Sequence, residues 1–397
     1  MEKNASVAVS AGAAGSAQTR FAEASQEVSF CDALFRRQRK RGFELVPSPD
    51  PSLEAPVADS HAHLDLMADP ALSLARCAVM GMDFICTVAE PAEDGAAVYE
   101  NLPEWLAGAM RLLPDVFEGT RRALGEHRAD MAAAGTPLPE APTSDEMLSY
   151  RCGCTASIPR VRVAVGVHPH NAKSWDADME QLLRSLLAKP VTCALGEVGL
   201  DYHYDLSPRD VQRDVFRRQV AIAHECGLPL ILHVRDAHED AFAIMEEEGW
   251  PAAGTLLHCC SVGPDELARW IDRGCYVAFG GAVTFKSSDD LRASSVTVPT
   301  GRLLAETDSP YMAPVPFRGQ ECGPEFTVFV AEHLAKLRGL EPGEPRRAFL
   351  QDVHDATLEL LDREPTAWQQ CAAFEESAGL SPEPSAARFE EWSCRCR

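Results

Sequence analysis

VTCALGEVGL, residues 191–200, decides the architecture. The run is apolar on both faces of a strand, too short for an ordinary helix, and broken only by one carboxylate, Glu197, toward its end. Such a strand belongs in a parallel sheet covered by helices. Toward the C-terminus the same signature returns as LPLILHV (228–234), GTLLHCC (254–260), CYVAFGG (275–281) and RLLAETD (302–308). Toward the N-terminus it returns as VRVAVGV (161–167), DFICTVA (83–89) and VADSHAHL (57–64). Helix-like segments lie between them, among them Arg209 to Cys226, Ala237 to Glu248 and Pro264 to Arg273. Strand and helix alternating in this way predict an α/β protein, a (β/α)8 barrel.

One interval is out of step. Roughly seventy residues separate the second and third strands, so an insertion of about 91–160 sits there. Within it Ala96 to Leu113 and Asp115 to Ala134 read as helices and TPLPEAPTS as a loop; a cap over the barrel mouth and an enlarged outer helix layer are equally compatible with this. The expected organisation is an N-terminal tail and linker at 1–56, largely disordered, a barrel at 57–362, and a C-terminal tail at 363–397. The N-terminal part carries a basic run, Arg36, Arg37, Arg39, Lys40 and Arg41, read either as a solvated helix end or as an electrostatic handle for a phosphate-bearing ligand.

The chain has 397 residues, with 60 Asp and Glu against 37 Lys and Arg, a formal net charge of -23. That surface disfavours broad duplex binding, although a cation-lined pocket can still admit the end of a polyanion. No run reaches transmembrane length, and the first residues lack the basic start and apolar middle of an export signal. The 14 cysteines are scattered without zinc-ribbon spacing, so free thiols and a cytoplasmic location are expected. The CxC pairs Cys152/Cys154 and Cys394/Cys396 read as incidental. Oligomeric state and protein partners leave no signal.

Chemistry concentrates at strand ends. His61 and His63 are two apart on the first strand, so both imidazoles face one side. Glu197, His233, His258 and Asp308 each lie at or near the end of a later apolar strand, the end at which barrel active sites assemble. A charged group in such a sequence must be paired or coordinated. Four imidazoles and two carboxylates exceed one open tetrahedral site and suit two adjacent divalent cations bridged by Glu197. Asp308 would bind one cation and take a proton from the attacking water. Mixed nitrogen and oxygen donors accept zinc, manganese or iron, and magnesium if coordination is looser. A second histidine pair, His168 and His170, is split by Pro169 and is expected in the loop just past a strand.

At these residues the chain resembles the TatD-like metal-dependent deoxyribonucleases of the amidohydrolase superfamily. The ordered motifs are DSHAHLDL, VGVHPH, LGEVGLDYHYD, QRDVFRRQVAIAHECGLPLILHVRDA, LLHCCSVG, GCYVAFGGAVTF, RLLAETDSPYMAP and PVPFRG, spanning roughly residues 57 to 362. The resemblance implies a TIM-type barrel, a two-cation centre and hydrolysis of DNA phosphodiesters, often from the 3′ end of single strands. It assigns His61, His63 and Asp308 to the first metal, His233 and His258 to the second, and Glu197 to both, with Glu197 and Asp308 catalytic. His168, Asp201, Tyr202 and Arg235 match positions at the mouth and are expected to contact substrate or support the ligands. Arg235 offers either a bidentate fork for phosphate or a salt bridge to a nearby carboxylate. The segment after PVPFRG departs from the pattern: Cys322 and Gly323 stand where Asn and Glu are expected, and Cys260 replaces an aromatic. Hydrolysis of another ester or an amide, including an aminoacyl-tRNA ester, and a metal-binding barrel without catalysis are the competing functions.

Overall fold

The computed structural model describes residues 35–40, 42–46, 55–93, 95–133 and 157–377. An antiparallel hairpin, β1 (Phe35–Arg39) and β2 (Gly42–Val46), precedes the main body. There follow β3 (Val57–Ala62), α1 (Pro70–Val79), β4 (Met82–Ala89), α2 (Gly95–Ala133), β5 (Arg160–Val165), α3 (Ala177–Leu187), β6 (Thr192–Asp201), α4 (Arg209–Cys226) and β7 (Leu230–Arg235). The chain continues through α5 (His238–Glu248), β8 (Thr255–Leu257), α6 (Pro264–Asp272), β9 (Tyr276–Phe279), α7 (Asp289–Thr297), β10 (Leu303–Ala305), α8 (Thr327–Leu337), α9 (Glu344–Leu361) and α10 (Ala367–Ser377).

Strands β3 to β10 form one parallel eight-stranded sheet in sequence order. Its ends close by a parallel bridge between Ala62 and Ser309, with His63 N–H donating to Ser309 O at 2.8 Å and Asp308 N–H to His61 O at 2.9 Å. The predicted (β/α)8 barrel is therefore the observed fold, with every predicted strand present. The apolar layer between strands and helices buries large side chains such as Trp270, Phe216 and Phe317. Each contributes roughly 1.5–3 kcal/mol by leaving water. A second buried cluster, including Phe84, Cys86, Ile231, Leu256 and Leu304, takes in Leu360 and Leu361 of α9.

Of the insertion, the described residues 95–133 form a helix that packs along α1. The helices expected on either side of Pro114 are one element, the 39-residue α2, which runs through Pro103 and Pro114. Packing overrides the breakers: Val98, Leu102, Ala109 and Val116 form one buried stripe, and the bare Cα of Gly108 faces Ala71 of α1. α2 starts beside Glu90 at the C-terminal end of β4, where Gly95 N–H donates to Glu90 O at 2.9 Å. The TPLPEAPTS loop lies outside the described residues.

Two tail expectations are corrected. The basic run folds as the β1–β2 hairpin rather than a helix end, anchored by Phe35, whose ring meets Phe317, Phe326 and Phe329 with centroids 4.7–5.6 Å apart. The segment after 362 contains α10, pinned by Gln369, which donates to Leu187 O and Thr192 O at 2.9 Å. All cysteines among the described residues are free, and both CxC pairs fall outside them.

Candidate metal centre

Strand periodicity delivers the site. His233 is two residues past Ile231 on β7, His258 two past Leu256, and Glu306 and Asp308 two and four past Leu304. Each anchoring residue belongs to the same buried cluster. Glu197 on β6 reaches His233 because Gly199 lets the strands close up: its φ is +143°, and a Cβ there would meet His233 O at 2.0 Å.

The two oxygens of Glu197 face different donors. Oε2 lies 3.4 Å from His61 Nε2 and 3.9 Å from His63 Nε2. These imidazole nitrogens are 3.3 Å apart, and Asp308 Oδ1 is 3.4 Å from His63 Nε2 and 3.9 Å from His61 Nε2. Oε1 lies 2.6 Å from His233 Nδ1, 3.3 Å from His258 Nε2 and 3.7 Å from His168 Nε2.

In the second group the remaining nitrogens of His233 and His258 are held by carboxylates, and that of His168 accepts from His170 N–H at 3.2 Å. Asp201 Oδ2 is 3.0 Å from His233 Nε2 and 2.9 Å from His170 Nε2. Glu306, fully buried, reaches His258 Nδ1 at 3.0 Å and accepts from Cys259 N–H at 2.7 Å. This carboxylate–imidazole pairing fixes ring orientation and leaves the opposite nitrogen facing Glu197. Behind the first group, Asp59 accepts from His61 N–H at 3.1 Å and from Thr307 Oγ1 at 2.6 Å. Burial raises the Asp59 carboxyl to about 7 despite those bonds.

Burial pushes the Glu197 carboxyl up, but His258, His168, His61 and the bond to His233 outweigh it and hold it well below its ordinary range. Burial, reinforced by His258, lowers His61; burial and His233 lower His168 further. In the opposite direction, the bonds to Asp201 and Glu197 overcome burial and raise His233 to about 9, and Glu306 and Glu197 raise His258 well above its ordinary value. Asp308 lifts His63 against burial. Asp308 itself sits at φ +57°, an uncommon left-handed conformation that aspartate tolerates.

This donor set fits divalent cations. With metal–ligand bonds of roughly 2.1 Å, donors on a tetrahedral ion stand roughly 3.4 Å apart. Around Oε2 the pairs span 3.3–3.9 Å, and two imidazole nitrogens face each other without an intervening acceptor. The donor atoms of His168, Glu197 and His233 lie within 4.8 Å of one another, as do those of His61, His63 and Glu197. Cys259 groups with His258 and Asp308, and burial, with Asp308 and Glu306 nearby, pushes its thiol well up.

The six residues expected to bind metal thus converge, and His168 joins them at the second group rather than standing only at the mouth. Asp201 lies against His170 and His233. The Tyr202 hydroxyl donates to Asp240 at 2.7 Å and its ring lies under Arg209, so α4 and α5 hold it. Arg235 makes no salt bridge among the described residues; its guanidinium lies 4.8 Å over the Tyr204 ring. Tyr204 is 53% exposed, and Tyr311, edge-on to His63, is 48% exposed. Glu306, Glu90 and Asp59 went unread in the sequence. Glu306 carried a signal, lying two residues before Asp308 and so on the same strand face. Glu90, which accepts from His168 N–H at 2.6 Å, carried none.

Comparison with known proteins agrees with this geometry. The family model described as TatD related DNase matches residues 58–356. The metal-dependent hydrolase YabD of Bacillus subtilis is 42% identical over 179 residues, 45% of this chain and 70% of that protein. The 3′-5′ ssDNA/RNA exonuclease TatD of Klebsiella pneumoniae is 31% identical over 225 residues, 55% of this chain and 82% of that protein. The crystal structure of YJJV, a TatD homologue from Escherichia coli, superposes with a TM-score of 0.56 at 23% identity, over 77% of this chain and 98% of that one. With its barrel, its divided donor set and these relatives, the chain belongs to the TatD-related DNase family.

Proposed function

We propose that the protein is a metal-dependent phosphodiesterase that trims single-stranded DNA from the 3′ end. One observation carries this reading: the oxygens of Glu197 are shared between two donor groups, as a bridging carboxylate requires. His61, His63 and Asp308 would hold one cation, His233 and His258 the other, with Glu197 common to both and His168 beside the second. Zinc, manganese, iron or magnesium bound there would supply Lewis acidity toward a phosphoryl oxygen and an activated water.

The chain's own groups do the rest. Asp308, 3.4 Å from His63 and partly open to the mouth, is placed to accept the proton of the attacking water. Asp201 and Glu306 keep the imidazoles in one orientation while the reaction proceeds. Tyr204, backed by Arg235, and Tyr311 offer exposed rings on which unpaired bases stack. Such a site takes an end, which is compatible with an acidic protein of net charge -23. Free thiols accord with a cytoplasmic protein, and no helix among the described residues is long and apolar enough to cross a membrane.

The test is turnover of 3′- and 5′-labelled single-stranded and duplex oligonucleotides, before and after chelation, beside an aminoacyl ester control. Metal-dependent shortening of single strands from the 3′ end is expected. Turnover of the ester alone contradicts the nuclease reading.

A further inference from the structure

The loop after β10 departs from the family pattern at Gly323, and the structure reveals what stands in the space of the missing side chain. A Cβ on Gly323 would lie 2.2 Å from Glu325 Oε2 and 2.7 Å from Glu325 Cδ. A carboxylate is thus already there, delivered from two residues downstream. Glu325 is 2% exposed, accepts a hydrogen bond from the buried Ser73 Oγ, and lies 3.4 Å from Arg76 Nη1. A few residues earlier, Glu321 accepts from Ala68 N–H at 3.0 Å.

These contacts span the weakest join in the barrel. Ser73 and Arg76 belong to α1, the helix that follows His61 and His63; Glu325 ends the loop that begins at Asp308. Every other neighbouring strand pair shares a ladder, whereas β3 and β10 are joined by the isolated Ala62–Ser309 bridge and a few flanking bonds. With so few bonds fixing the spacing of His61, His63 and Asp308, contacts that tie α1 to the loop after Asp308 add support to the seam.

We propose that Glu325 is a positioning residue that clamps the β3–β10 seam, holding Asp308 in register with His61 and His63, and that it takes over the carboxylate expected at position 323. The inference rests on the metal assignment above but not on the identity of the substrate. Glycine at 323 follows from it, since any side chain there must displace the Glu325 carboxylate from Ser73 and Arg76.

The experiment is a cycle of Glu325→Ala, Gly323→Glu and the double variant, read by metal content after a chelator challenge, metal affinity and thermal unfolding. Each single variant should lower affinity for one of two cations by about 10–100-fold, the usual consequence of losing a supporting partner. The double variant should return to within about threefold, because a carboxylate again reaches α1. If Glu325→Ala does not fold, recovery of a folded, two-metal protein in the double variant still supports the exchange. A double variant as impaired as Glu325→Ala overturns it, as does a Glu325→Ala protein with unaltered affinity for both cations. Wild-type protein that takes up no metal contradicts the metal assignment, and the exchange is then judged by whether the double variant regains the wild-type melting temperature.

Discussion

Glu306 is the sharpest place to perturb the site without removing a ligand. Its carboxylate, fully buried, takes Cys259 N–H at 2.7 Å and holds His258 Nδ1 at 3.0 Å. Alanine leaves two buried donors without an acceptor, at about 1–3 kcal/mol each. That approaches the whole stability of a marginal domain, about 5–15 kcal/mol. Glu306→Gln is the better probe: it keeps the volume and one acceptor but turns an amide NH2 toward the other donor, a loss of about 1–3 kcal/mol. Because His258 then lacks its fixed partner, affinity for a divalent cation should fall about 10–100-fold. Chelator competition at neutral pH measures this, with thermal unfolding in parallel. A Glu306→Gln protein with wild-type affinity and melting temperature refutes the reasoning.

Three further outcomes are expected. In metal-free protein His233 is raised to about 9, so the ion pairs it makes stabilise fully below 6.5 and are lost as pH rises through about 9. A cation must displace that proton, so apparent metal affinity should climb by up to about tenfold per pH unit and level off near pH 9, while the chelated protein melts lower over the same range; a titration flat between pH 6.5 and 9 contradicts this. Arg235→Ala removes the cation beneath Tyr204, worth about 0.5–1 kcal/mol, and should raise KM for single strands by about two- to fivefold with kcat little changed, as steady-state kinetics would show. Gly199→Ala forces a Cβ onto His233 O at a positive φ and should destabilise by more than about 1 kcal/mol, measured by denaturant unfolding.

The barrel was legible because its strands are apolar on both faces, and only a sheet covered by helices buries such strands. The six metal-binding candidates were legible for the same reason, being ionisable residues where nothing else is polar. What escaped depends on contacts distant in sequence. Phe35 gives no sign of the aromatic cluster with Phe317, Phe326 and Phe329 that anchors the hairpin. Pro114 signals a break that packing against α1 overrides. Tyr202 and Tyr204 sit past the end of β6, where strand alternation no longer dictates direction, so the exposure of Tyr204 could not be read from the sequence. Glu325 was invisible because its meaning lies in the empty Cα of Gly323.

The central claim is that Glu197 bridges two cations. Crystals of the protein loaded with manganese or zinc, with data collected at the metal absorption edge, test it most directly. Two anomalous peaks roughly 3.5–4 Å apart are predicted, one beside Oε2 with His61, His63 and Asp308, the other beside Oε1 with His233 and His258. A single peak, or two peaks that do not share Glu197, contradicts the account.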